Sequence, residues 1–165
     1  MFANLTPMLW LHFVAAALAL SIGVAQLVLP KGGTRHRQIG WAYAAAMLAV
    51  NIGALTTYRL GFGIFHVLAF VSLYSLAMGL WAMRRWRQTG AASWLRRHRI
   101  DMGFSYLGLV MAGVSQFAIN PRFGLAAAMP PLLYWGLFAA INIVMYAIGN
   151  WLIFRNAGAV PAPTR

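Results

Sequence analysis

The sequence has no cysteine and only one acidic residue, Asp101, in 165 positions. The first absence excludes disulfides, thiolate metal sites, iron–sulfur clusters, covalently attached c-type haem and thiol redox relays. The second excludes paired-carboxylate acid–base chemistry. It also removes the intramembrane acid on which proton carriers usually depend, which ranks proton or solute transport low. Charge of any sign is scarce, at 8% of residues, where soluble domains carry roughly 25%.

Apolar residues fill the rest. The chain is 62% hydrophobic with a mean hydropathy of +0.70, and five runs approach the ~20 residues that a helix needs to cross a hydrocarbon core. They cover about 8–29, 38–58, 62–83, 102–120 and 131–154. Runs of this length predict helices rather than barrel strands, which are half as long and alternate. The expected fold class is an all-α integral membrane protein, with a single transmembrane domain over 1–154 and a disordered Pro/Ala-rich tail over 155–165. The N-terminus lacks a basic n-region, so the first run is expected to stay as an anchor.

The net charge of +12 is explained by topology. Eleven of the thirteen Lys and Arg residues fall on one side of the expected spans, and only Arg59 and Arg122 fall on the other. The positive-inside rule then places the N-terminus outside and the C-terminus in the cytoplasm of a bacterial inner membrane. Lipids are the expected partners, and a nucleic-acid groove is not needed to account for the arginines.

The sequence also carries an internal echo. RHRQIGWAY at 35–43 matches RHRIDMGFSY at 97–106, and LHFVAAALALS at 11–21 matches FHVLAFVSLYS at 65–75. Two tandem hairpin repeats follow, about 8–58 and about 62–120, forming a four-helix bundle, with a fifth helix at about 131–154. Parallel repeats are related by an axis along the membrane normal. That symmetry would set His12 opposite His66 near the outer face, and His36 opposite His98 near the inner face. At 1.5 Å per residue the two layers would lie about 20 Å apart.

Ionisable residues inside membrane segments are functional candidates because they are costly there. Two opposed imidazoles complete an octahedral haem iron, and an arginine pairs well with a propionate. On this reading His12, His66, His36 and His98 are ligands, and Arg35, Arg37, Arg97 or Arg99 meet the inner propionates. Asp101 either orients an imidazole or balances an arginine. The competing reading makes the RRHR stretch at 96–99 a topogenic cluster, with Asp101 near a helix N-terminus where the macrodipole favours an anion.

The alternating order of the four histidines resembles the ascorbate-linked transmembrane di-haem cytochromes b. That resemblance implies one haem held by the first and third helices through His12 and His66, and another held by the second and fourth through His36 and His98. Here His36 and His98 are flanked by arginines, a more interfacial setting than the cytochromes have. The first four helices also resemble bacterial membrane-protein families with no assigned chemistry, marked by a histidine in the first helix, HR followed by glycine, and a later HR followed by methionine. In this chain those are His12, HRQIG at 36–40, His66 and HRIDM at 98–102.

The function expected from these readings is one-electron transfer through haem b, an oxidoreductase role with a quinol or another redox protein as partner. Two alternatives stand beside it. One is a zinc or copper protein using the same histidines as metal ligands, although such ions want three or four donors. The other is a cofactor-free assembly factor or accessory subunit of a larger membrane complex. Asn51, Tyr58 and Gln116 are expected to bond between helices or to the ligands, and Asn142 with Asn150 to mark a packing face of the fifth helix. PKGGTR at 30–35 reads as a turn, since no strand precedes it and Walker spacing is missing.

Overall fold

Thr6 and Pro7 open the first helix: the Thr6 hydroxyl accepts from the Leu9 amide at 3.3 Å, and proline occupies the first turn, where its missing N–H costs nothing. The computed structural model describes residues 6–56, 63–119 and 129–158. Within them are five helices: α1 (Pro7–Val28), α2 (Thr34–Leu55), α3 (Ile64–Thr89), α4 (Ala92–Ile119) and α5 (Pro131–Ala157). There is no strand among the described residues. Tyr58, Arg59, Arg122 and residues 159–165 of the expected tail lie outside them. By length and composition α1, α2, α5 and the part of α3 from His66 onward can each cross a membrane.

The helices divide into two compact units, 1–77 and 78–165, with the division inside α3. In the first unit α1 and α2 form an antiparallel hairpin. Proline at position 30 stops α1, Gly32 takes a left-handed turn conformation with φ 89°, and Gly33 caps α2. The Lys31 ammonium reaches back to the carbonyls of Gln26, Leu27 and Leu29, satisfying acceptors that the helix end leaves open. The turn therefore covers 30–33, with Thr34 and Arg35 already in α2, and its lysine is a cap.

Small residues bring the hairpin close. Ala15, Ala19 and Gly23 are the buried side of α1, while α2 buries Tyr43, Ala44, Met47, Val50, Asn51 and Gly53. The opposite faces are apolar and open: Leu18 is 53% exposed, Leu27 63% and Trp41 62%. Without water to expel, helices in lipid associate through such close backbone approach. Side-chain bonds pin both ends. His12 bonds the Val50 carbonyl and Gln26 bonds the His36 carbonyl, each at 2.8 Å. Fourteen residues separate the two bonds on α1 and fourteen on α2, so one register holds for about 21 Å.

In the second unit α4 packs on α5. Gly149 gives way to the Leu107 side chain and Gly103 to Ile153. The Asn142 amide donates to Ser115 Oγ at 2.8 Å and to the Phe138 carbonyl at 2.8 Å. The expected packing face of the fifth helix is thus present at Asn142.

The basic connection differs from its expectation. Arg84, Arg85 and Arg87 lie on α3, and Arg96, Arg97 and Arg99 lie on α4. The turn itself shrinks to Gly90 and Ala91. Gly90 adopts φ 67° and its amide bonds the Trp86 carbonyl at 2.8 Å, a left-handed helix cap. Hydropathy marks where lipid ends, not where a helix ends, and arginine is a good helix former. Trp94 holds the extension together, edge-on to Trp81 at 4.8 Å and beneath the Arg85 guanidinium at 5.6 Å. At its far end α5 runs on to Ala157, past the expected boundary at 154.

Candidate functional site

The candidate chemistry rests on histidines, and hydrogen bonding assigns their tautomers. His12 Nδ1 lies 2.8 Å from the Val50 carbonyl oxygen on α2. A carbonyl only accepts, so Nδ1 carries the proton and Nε2 keeps the lone pair. Gly53, one turn beyond Val50, makes room for the imidazole: a Cβ there would come 2.7 Å from the His12 Cβ and 3.3 Å from its Cα.

His98 repeats the arrangement in the second unit. Its Nδ1 lies 2.8 Å from the Gly79 carbonyl on α3, which imposes the same tautomer. Again a glycine marks the close approach, since a Cβ on Gly79 would meet Met102 Sδ at 2.7 Å. Each of these histidines donates to the backbone of the neighbouring helix in its hairpin.

His66 behaves oppositely. It is 6% exposed, and its Nδ1 accepts from the Gly63 amide at 3.1 Å. Acceptance there puts the proton of the neutral ring on Nε2. The bond caps the start of α3, where amides lack helical partners. His36 sits in the first turn of α2 with its carbonyl held by Gln26. His12 and His66 belong to the same unit, whereas His36 and His98 belong to different ones.

Among the arginines, Arg35 and Arg37 are exposed on the first turn of α2, and Arg99 is half-buried on α4. Arg97 Nε donates to Asp101 Oδ2 at 2.6 Å, one turn along α4. Asp101 thus balances an arginine. The macrodipole account of this acid does not hold, because α4 starts at Ala92 and the dipole effect fades within the first turn. Among the described residues there is no cluster of three or more His, Cys, Asp or Glu side chains suited to a metal ion.

Other polar groups tie helices together. The Asn51 amide donates to the Met47 carbonyl at 2.7 Å and to Ser72 Oγ on α3 at 3.2 Å, the interhelical role expected of it. Gln26 was not among the candidates. Its only signal is a polar residue in the last turn of a helix whose other polar side chains are His12 and Ser21. The acceptors of His12 and His98 are backbone carbonyls, which carry no sequence signal at all.

Residues 9–154 match the family described as "Predicted membrane protein (DUF2306)". The chain belongs to this family. The match takes in all five helices except the ends of α1 and α5, and both anchored histidines lie within it. Together with the span-length apolar helices, membership establishes a multi-pass membrane protein in contact with lipid. No curated protein and no solved structure matches the chain.

Proposed function

We propose that the chain is a membrane-integral electron carrier of b-type cytochrome character, with haem held by histidine. The supporting observation is the shared setting of His12 and His98, whose Nδ1–H groups are anchored to the Val50 and Gly79 carbonyls at 2.8 Å. Such a bond fixes ring orientation, raises the basicity of the other nitrogen and presents Nε2 as a ligand. When bound, haem iron would supply one-electron redox chemistry, with a quinol or a redox protein as exchange partner. The basic ends of α2, α3 and α4 support a topology with the N-terminus outside the plasma membrane.

His36 and His66 are the second ligands on this reading, in keeping with the repeated Arg-His-Arg and histidine–serine patterns. His66 must release Nδ1 from the Gly63 amide before Nε2 can act as a donor atom. The outer site therefore needs a local change at the start of α3. The Arg35, Arg37, Arg97 and Arg99 guanidinium groups are the propionate partners.

The His66 bond also favours a second reading. Imidazoles that cap helices and staple hairpins need no cofactor, and an accessory subunit of a larger complex would use them so. An optical spectrum separates the two. For the detergent-purified chain from haem-replete cells, the expected result is a Soret band with sharp dithionite-reduced bands and at least one haem per chain. His12→Ala and His98→Ala should each remove the haem of its own site, lowering the content of a chain with both sites filled by about half, with helicity by circular dichroism retained. A colourless wild-type protein sinks the cytochrome reading and leaves the staple reading in place.

A further inference from the structure

One face of α4 has a polarity that changes along the helix axis. Ser93, Arg96, Arg97, Ile100, Asp101 and Phe104 line an open groove of about 440 Å³ that Phe154 of α5 completes. The positions follow helical spacing, so they form a single stripe. Its first part, Ser93 to Arg97, is polar and basic, and its second part, Ile100, Phe104 and Phe154, is apolar apart from the Asp101 carboxylate. Asp101 engages Arg97 through Nε and fixes that guanidinium at the groove wall. Arg96 adds a further positive charge, so the two arginines outnumber the single acid.

We propose that this groove is a specific site for an anionic phospholipid. The phosphate would be held by Arg96, Arg97 and the Ser93 hydroxyl, and the upper acyl chain would lie along Ile100, Phe104 and Phe154. Dimensions agree with this occupant. Ser93 to Arg97 rises about 6 Å, close to the roughly 5–8 Å of headgroup region on each side of a hydrocarbon core. Phe104 lies about 10 Å further along the axis, at the depth of acyl chains. A soluble anion would be served by the polar part alone and would leave the aromatic floor unused. The groove shares Arg97 with the proposed propionate partners, whereas Ser93 and Arg96 belong to the groove alone.

Thermal unfolding of the full chain in detergent tests the proposal, with phosphatidylglycerol, phosphatidylcholine and inorganic phosphate as the added probes. Work at about 0.5 M salt, where screening acts within about 4 Å, removes diffuse attraction. Wild type is expected to bind phosphatidylglycerol about tenfold more tightly than phosphatidylcholine, as charge-assisted hydrogen bonds require. Arg96→Gln, at an exposed position compatible with folding, should bring the two lipids to within about twofold, while Arg87→Gln on α3 should leave the preference intact. The proposal is overturned by equal binding of both lipids to wild type, or by equal losses from Arg87→Gln and Arg96→Gln. Protection by inorganic phosphate as strong as that by phosphatidylglycerol overturns it too, assigning the groove to a free phosphate.

Discussion

Gly53→Ala is expected to destabilise the chain by about 2 kcal/mol, while Gly79→Ala stays within about 1 kcal/mol of wild type. Both glycines face a neighbouring helix, and both substitutions place a Cβ 2.7 Å from a neighbouring atom. What they meet differs. At Gly53 the obstacle is His12 Cβ, with His12 Cα and Nδ1 both at 3.3 Å, so the α1 backbone itself must move. Moving it also pulls His12 from the Val50 carbonyl, a bond worth about 1 kcal/mol. Alanine returns up to about 1 kcal/mol of helix propensity, which does not offset overpacking of 1–3 kcal/mol together with the lost bond. At Gly79 the obstacle is the Met102 thioether, with Sδ at 2.7 Å and Cγ at 3.0 Å, and a flexible side chain can turn aside. Melting temperatures of the two variants in one detergent check the pair. A Gly79→Ala loss exceeding that of Gly53→Ala would contradict the register set by His12 and Gln26.

That contrast shows what the sequence carries and what it does not. Helix number and order are legible because each apolar run must satisfy its own backbone in lipid. The turn at Gly32 is legible because glycine pairs next to proline have few other uses. The extent of α3 and α4 is not legible. The arginines at 84–87 and 96–99 mark the end of the apolar run, but the helices continue through them and are stopped by Gly90. Once the arginines are helical, Asp101 lies nine residues past the start of α4 and one turn from Arg97, which decides between its two readings.

For the candidate site the limit is of another kind. Four histidines in alternating hairpin positions can be seen in the sequence, but tautomers cannot, because they depend on which backbone atom each ring meets, on a neighbouring helix for His12 and His98 and at the start of its own helix for His66. Val50 and Gly79 supply carbonyls whatever their side chains are, and Gly63 supplies an amide. Similar surroundings of apolar residues thus leave His12 and His66 with protons on opposite nitrogens.

Arg97→Gln is expected to destabilise the chain by about 2 kcal/mol, Asp101→Asn by about 1 kcal/mol or less, and the double variant by no more than Asp101→Asn alone. The asymmetry comes from burial. The Asp101 side chain is 11% exposed and the Arg97 side chain 45%. Removing the arginine strands a carboxylate largely out of water, and a fully buried stranded charge costs 3–5 kcal/mol. Solvent around the arginine half of the pair screens the interaction and lowers that figure. Removing the carboxylate instead leaves a guanidinium that can turn to water, at the cost of one charge-assisted hydrogen bond. Neutralising both partners removes the stranded charge, so the double variant should lose less than the sum of the two singles by an amount comparable to the Arg97→Gln loss. Denaturation in a zwitterionic detergent, without added anionic lipid, keeps this cycle separate from the phospholipid groove in which Arg97 also takes part. Equal losses from the two single variants, adding in the double, would mean that Asp101 gains nothing from Arg97 and finds its compensation in other α4 cations.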